Sequence, residues 1–514
     1  MTNVDSGVRG PGVSRRALLG ISRSLAVAAS VGVLAGCSED GTRRSGGTSV
    51  SGTGSSTGQV RRFRSRPDLQ PVSAVVRTDR GATAPGLIFV SPSHNRYGQQ
   101  GPMILDNDGE LVWFRPLSDH ATTKLRSFNL RVQHYRGQKV LTWFEGAVLS
   151  AHGQGRYAIA DSSYRILHWV DAGNGYQGDL HEFLITDHGT ALFTCYAEEH
   201  ADLSGVGGSP QGPYFNGVVQ EVDIASGRVL FQWRADRHVN FAESYAPVPS
   251  DGQNPWDPYH VNSISVASDG NLLVSARNTW SVYKVERPSG RILWRLGGKK
   301  SDFTVSSAAR FAWQHDATPH PGSRLAIFDN ALGTNKVRNQ SRGLMLSVDE
   351  SRRAVTLDHE YLHGNPPVQT IALGSVQILP DGHVFVGWGD GPYVTEYHPD
   401  GTVIYDLRMN GNGTRSYRGF RSPWTGRPAG GPALAVDKVS GGMKLYVSWN
   451  GDTEVRHWRI LLGSSPGRLA VASVAARHGF ETVIKVRRRA RYAAVAGLDR
   501  SGRELGRSPV HAVQ

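Results

Sequence analysis

Short strands broken by tight glycine turns recur from residue 70 to residue 410, and this pattern constrains the fold more than any other feature. One half of the repeating unit is a strand, a glycine turn and a second strand. Examples are Phe183–Phe193 around His188-Gly189, Val261–Ala276 around Asp269-Gly270, and Val376–Trp388 around Asp381-Gly382. The other half is a hairpin whose second strand is apolar or aromatic, as at Leu111-Val112-Trp113, Val229-Leu230-Phe231, Ile292-Leu293-Trp294 and Val403-Ile404-Tyr405. Asp-Gly pairs between such runs are strong hairpin signals. Two halves make a four-stranded sheet of roughly 40–70 residues with its loops. Six such units start near residues 86, 128, 181, 260, 315 and 374. A small sheet cannot cover its own faces, whereas radial stacking covers them and removes most open edges. The expected fold class is therefore all-β, with a six-bladed β-propeller over residues 69–415. A stacked pair of β-sandwiches is the structural alternative.

The texture changes after about residue 411. Arg421–Pro432 is rich in Pro and Gly, and residues 433–514 alternate in short strands. Residues 425–514 are expected to form a small C-terminal immunoglobulin- or fibronectin-like β-sandwich without chemistry of its own. At the other end, Ser14-Arg15-Arg16-Ala17-Leu18-Leu19 is a twin-arginine export pattern. An apolar run from Leu25 to Leu34 follows, the length of a signal core and too short to span a bilayer as a helix. Leu34-Ala35-Gly36-Cys37 resembles a bacterial lipoprotein processing site, with Cys37 the lipidated residue; an ordinary cleaved signal with an incidental Cys is the alternative. Residues 1–37 then read as a signal and the Ser/Gly/Thr-rich stretch 38–68 as a flexible tether. The expected location is the extracytoplasmic face of the cell membrane, held there by lipid. Cys195 is left without a partner and is expected to be a buried small hydrophobe.

The net charge is +13, of which residues 1–36 supply four arginines and one aspartate, leaving +10 for the rest. A basic surface attracts anions, whether sulfate esters, anionic lipid or nucleic acid. No nucleic-acid motif is present, so a nucleic-acid partner is not expected. The run Arg487, Arg488, Arg489 and Arg491 reads as a solvated strand edge.

Three stretches can carry chemistry. They are Asp179-Leu180-His181-Glu182-Phe183; Tyr259-His260-Val261-Asn262-Ser263-Ile264 with Ser275-Ala276-Arg277-Asn278; and Trp313-Gln314-His315-Asp316-Ala317 with Phe328-Asp329-Asn330. A single His beginning a strand is ordinarily a hydrogen-bonded structural residue. Here three begin successive units, and the first strand of every propeller blade lines the central channel. Equivalent positions therefore converge on the axis although the histidines lie far apart in sequence. Arg277, on the strand after His260, would be costly to bury without an anion or a carboxylate.

These segments resemble the bacterial arylsulfotransferases, in particular the actinobacterial and fungal branch, over roughly residues 80–410. The most distinctive piece is His260-Val261-Asn262-Ser263-Ile264, then Ser275-Ala276-Arg277-Asn278, then Gly290 to Gly298; Gln314-His315-Asp316 and Phe328-Asp329-Asn330 follow in the expected order. The resemblance implies a six-bladed propeller that transfers a sulfuryl group between phenols without a nucleotide donor, cofactor or metal, through a transiently sulfated histidine. That role falls on His315, with His181, His260 and Arg277 as the supporting set. The implied partners are small aryl sulfates and phenols. Better-studied enterobacterial members carry an N-terminal β-sandwich and a disulfide; this chain has neither the residues before its first blade nor the cysteine pair, so their acceptor pocket does not carry over.

The chemistry is physically sound. A neutral imidazole is a competent nucleophile, a neighbouring His can protonate the leaving phenolate, and basic groups stabilise charge on the transferring oxygens. Three histidines can also hold zinc, but no short ligand spacing supports that use, and an arginine in the set favours an anion. Two other functions compete with sulfuryl transfer. One is a non-catalytic cell-surface propeller that binds or scaffolds. The other is a hydrolase or a metal-dependent lactonase-type propeller, which would need channel carboxylates; Glu182, Asp316 and Asp329 are the candidates.

Overall fold

The computed structural model describes residues 59–93, 98–117 and 124–513. The signal pattern, Cys37 and the stretch 38–58 lie outside the described residues. Within them the chain is all-β and almost without helix: antiparallel sheets connected by tight turns, in a propeller-like arrangement.

Hairpin chemistry dictates the sheets, and apolar alternation dictates how they stack. The second sheet runs Arg126–Tyr135, Gln138–Leu149, His152–Ala160 and Ile166–Val170. The third runs Gly178–Ile185, Thr190–Ala201, Gly212–Asp223 and Val229–Arg234. These two touch through one bridge, Gly155 to Gly178, where a Cβ on Gly155 would sit 2.3 Å from the Glu145 carbonyl oxygen. The fourth sheet is Val261–Val266, Leu272–Ala276, Ser281–Val285 and Ile292–Gly297. The fifth is His315–His320, Arg324–Asp329, Arg342–Asp349 and Ala354–Tyr361. The sixth is Ser375–Ile378, Val384–Gly387, Tyr393–Tyr397 and Val403–Met409, with Ala74–Asp79 added on its outer edge.

The first sheet draws on both ends of the repeat. Leu87–Ser93, Met103–Leu105 and Leu111–Phe114 are joined by Arg415–Ser422, which pairs with Leu87–Ser93 in the register Phe420 to Phe89. The expected repeat boundary at residue 415 is thus corrected to Ser422. What composition presents as the start of a Pro/Gly linker is an inner strand, because its partner lies far away in sequence.

Each pair of successive sheets shares one apolar core. Leu141 and Trp143 meet Phe89 and Ile104; Phe183 and Phe193 meet Phe144 and Tyr157; Val261 and Val274 meet Val219 and Trp233. Ile327 and Leu344 meet Val282 and Leu296, and Val376 and Val386 meet Phe328. The sixth sheet then packs on the first, with Phe385, Val394 and Leu407 against Val90 and Met103. Cys195 is buried and free, as expected of a small hydrophobe.

Residues 59–68, which composition assigns to the tether, are packed. Phe63 is buried against Phe480 at a ring separation of 4.4 Å, and Ser65 hydrogen-bonds Glu481. Beyond Ser422, two sheets enclose one core. Ala433–Val439, Gly442–Ser448 and Glu481–Val486 form one. Arg468–Ala476, His457–Ser465, Tyr492–Leu498 and Glu504–Arg507 form the other, with His511–Ala512 pairing Tyr492 and Ala493. Leu445, Trp458, Ile460 and Val495 fill the space between them. This part abuts the outer strand of the first sheet. Asn450 exchanges two 2.9 Å hydrogen bonds with the Phe114 backbone, and Gly451 donates to the Val112 carbonyl.

Candidate active site

His181, His260 and His315 stand at or near the starts of the first strands of three successive sheets and are brought together. His181 lies within its inner strand, His260 immediately before its own, and His315 begins the next. His260 has φ of +53°, and Trp313 and Asp316 on either side of His315 are also left-handed. The His181 and His260 rings lie 4.8 Å apart. Tyr417, on the closing strand, bridges to the third histidine, with its ring 5.6 Å from His181 and 6.2 Å from His315.

Each imidazole is oriented by a partner. His315 Nδ1 is 2.7 Å from Asn330 Oδ1. The Asn330 amide nitrogen donates to Thr370 O, Thr370 Oγ1 and Leu373 O, so its oxygen must face His315. Nδ1 of His315 therefore carries the proton and Nε2 the lone pair; the Leu373 N–H donates to that Nε2 at 3.2 Å. Burial, then Arg277, push the His315 pKa well below the ordinary imidazole value, with His260 and His181 adding to the effect. The ring is neutral at physiological pH, as a nucleophile must be.

His181 Nδ1 is 2.7 Å from Asp179 Oδ2, which also accepts from Thr194 Oγ1. Burial pushes the Asp179 carboxyl up, but His181, His152 and the hydrogen bonds hold it well below the carboxylate range. His260 Nδ1 bonds Asp257 Oδ2, and the same oxygen receives His152 Nε2 at 3.0 Å. Burial lowers the His260 pKa to about 4 against the pull of Asp257. Burial also opposes charge on His152, yet Asp257 outweighs it and raises that pKa.

Arg277 is partly buried beside this set. Its Nη1 donates to Asn278 Oδ1 at 2.8 Å, Nη2 to Ile371 O at 3.0 Å, and its guanidinium lies 4.9 Å from the Trp313 ring centroid. Its Nε is buried without a partner. A guanidinium whose fork meets only neutral oxygens has charge to spare for an anion.

Residues next to the histidines in sequence form a buried set of charges. Arg418 Nη1 sits 3.2 and 3.0 Å from the two Glu182 oxygens and 3.4 Å from Asp316, and Arg131 meets Glu182 at 2.7 Å. Asp329 pairs with Arg342 at 2.9 Å and accepts from the Ala312 N–H. The three carboxylates considered as metal ligands are thus held by arginines, which removes the ground for a carboxylate-ligated lactonase-type site. The group that could hold a divalent ion among the described residues is His152, Asp257 and His260, whose donor atoms lie within 4.8 Å of one another. It fits such an ion poorly: one Asp257 oxygen already serves both imidazoles, and Nδ1 of His152 lacks the outer partner that metal-bound histidines have.

Sequence reasoning missed His152, Asp257, Tyr196, Tyr417 and Arg418. His152 follows a turn at Ser150-Ala151, both left-handed, on strands that overshoot the sheet. Tyr196 comes from a similarly long strand and reaches within 4.0 Å of the His152 ring. Neither occupies a repeat position. Asp257 carried a usable signal, lying three residues before His260.

The fold and site together define an all-β protein with a buried, arginine-flanked group of imidazoles suited to an anionic group in transfer. The chain belongs to the arylsulfotransferase (ASST) family, whose model matches residues 131–410. No curated protein matches it significantly. Among solved structures, a protein of unknown function from Bacteroides caccae is similar at 14% identity and TM-score 0.39, covering 66% of this chain and 99% of its own. A virginiamycin B lyase from Staphylococcus aureus with quinupristin is similar at 9% identity and TM-score 0.33, covering 74% and 96%.

Proposed function

We propose that this protein is an exported, lipid-anchored enzyme that moves a sulfuryl group from an aryl sulfate to a phenol, with His315 as the group carrier. The observation that carries the reading is the environment of His315: a neutral ring, its proton fixed on Nδ1 by Asn330, its Nε2 lone pair met by a long 3.2 Å bond from the Leu373 N–H, and Arg277 the charge that most lowers its pKa. The six stacked sheets are read as six blades of one propeller, and the two sheets after Ser422 as an immunoglobulin- or fibronectin-like sandwich.

In the first half-reaction Nε2 of His315 attacks sulfur and the S–O bond to the aryl oxygen breaks. The electron pair leaves on that oxygen, which takes a proton from His260. The donor's own negative charge favours the protonated form of His260 while it is bound. Arg277 and His181 balance charge on the three sulfuryl oxygens. In the second half an acceptor phenol attacks the sulfur, His260 takes its proton, and neutral His315 is restored. Asp257 keeps the His260 proton on Nδ1, so that Nε2 is the atom that exchanges protons with phenol.

The test is mass spectrometry of enzyme quenched during turnover of a chromogenic aryl sulfate, with and without a phenol acceptor. A sulfated peptide containing His315 is expected, and a His315→Ala protein without transfer. Robust transfer by His315→Ala would end the scheme. A non-catalytic scaffold predicts no turnover from either protein.

A further inference from the structure

The C-terminal sandwich is polarised along its strands. Five of its six acidic residues, Asp452, Glu454, Glu481, Asp499 and Glu504, lie at the end that meets the first sheet, and the sixth, Asp437, is paired with Arg64. No Asp or Glu occurs from Val455 to Phe480 or from Thr482 to Leu498. At the opposite end three turns come together. Met443 pairs with Val486, Gly463 with Tyr492 and Leu469, and the Arg491 N–H donates to the Gly463 carbonyl. Arg468, Lys485, Arg487, Arg488, Arg489 and Arg491 stand on this end, all exposed. None of the six makes an ion pair or side-chain hydrogen bond among the described residues. Six unneutralised cations on one end repel one another, a cost unless an anionic surface meets them.

We infer that this distal end of the sandwich is a docking surface for an anionic phospholipid bilayer. Its six exposed, unpaired cations are spread over more than one turn, which matches an extended anionic headgroup layer. Val471, on the adjacent edge strand, is 61% exposed, an apolar contribution of the kind interfacial surfaces use. Arg64 pairs with Asp437, which lies across from Lys444 and, through it, Lys485. Twenty-one residues, 38–58, separate Cys37 from Gln59, whose carbonyl accepts from the Ser73 N–H, a reach of at most about 70–75 Å. A lipid at Cys37 and a basic face on the same chain would be the two signals that stable membrane attachment takes. The inference is independent of the chemistry in the channel.

The test uses the full chain with Cys37→Ser, so that no lipid contributes, and sedimentation with phosphatidylcholine vesicles made with and without about one third phosphatidylglycerol. The parent should bind the anionic vesicles and release at about 0.5 M salt, where the Debye length has shrunk to a few ångströms. Reversal of Arg487, Arg488, Arg489 and Arg491 to Glu should reduce partition about 10²–10³-fold. The Arg→Gln set should fall between, with the unfolding midpoint unchanged in both sets as the check on folding. The apolar signal segment contributes equally to all three and is insensitive to salt. Equal, salt-independent binding by parent and variants would overturn the inference, as would preference for heparin or duplex DNA over anionic vesicles at the same ionic strength.

Discussion

Glu182→Gln should be among the most destabilising changes that add or remove no atoms of bulk. The side chain is 3% exposed and meets Arg131 at 2.7 Å and Arg418 at 3.2 and 3.0 Å, and the Arg418 side chain is fully buried. A glutamine would keep one acceptor, point an N–H₂ group at two guanidinium donors, and leave Asp316 as the one carboxylate facing Arg418 among the described residues. Breaking a buried pair from one side costs about 3–5 kcal/mol, because the remaining charge stays desolvated. Chemical denaturation followed by tryptophan fluorescence should show this loss at unchanged slope. Glu182→Gln with Arg418→Met removes one charge of each sign and should recover most of it. The loss also has a pH signature. Burial pushes the Glu182 carboxyl up, but Arg418 and Arg131 hold it below its ordinary 4.5. Its contribution is therefore complete above pH 4.5 and vanishes as pH falls through the lower folded value, so parent and variant should converge in acid. A Glu182→Gln protein within about 1 kcal/mol of the parent at neutral pH would refute the claim that this buried set of charges is dry and mutually neutralised.

Asp257→Asn should lower kcat about 10²–10⁴-fold by releasing the His260 tautomer, more for donors with poor leaving groups; equal losses across leaving groups would speak against a proton role for His260. In the acceptor half-reaction, His260 works as a neutral base and its pKa is lowered to about 4. Desulfation of pre-sulfated enzyme should thus be flat from neutral pH downward and fall only toward pH 4, whereas a midpoint near 6.5 would contradict the buried assignment. Cys37→Ala should release the protein from the membrane fraction or block its maturation, and unchanged retention with no lipid on Cys37 would dismiss the anchor.

The parts of this molecule that sequence makes legible are those written locally. Asp269-Gly270 and Asp381-Gly382 mark hairpins because two residues suffice to set a turn, and the observed strands flank them. His181, His260 and His315 were readable because a repeat places equivalent residues on one axis. Arg415–Ser422 was not, because nothing within it tells that Phe420 will face Phe89. His152 and Tyr196 escaped because they sit where strands overrun the repeat, and the roles of Glu182 and Asp316 stayed open because their arginines come from other sheets.

The closing strand also sets an order on biosynthesis. Arg415–Ser422 leaves the ribosome after every histidine of the site, yet it supplies Tyr417 and Arg418 and completes the first sheet. Any nascent or truncated chain ending before it holds Glu182 and Asp316 without their shared cation and leaves one edge of Leu87–Ser93 unpaired, an invitation to join another chain. Long-range closure of this kind is slow. The candidate site and the first sheet are therefore finished in the same late event, so that an incomplete polypeptide is recognisable by its open edge.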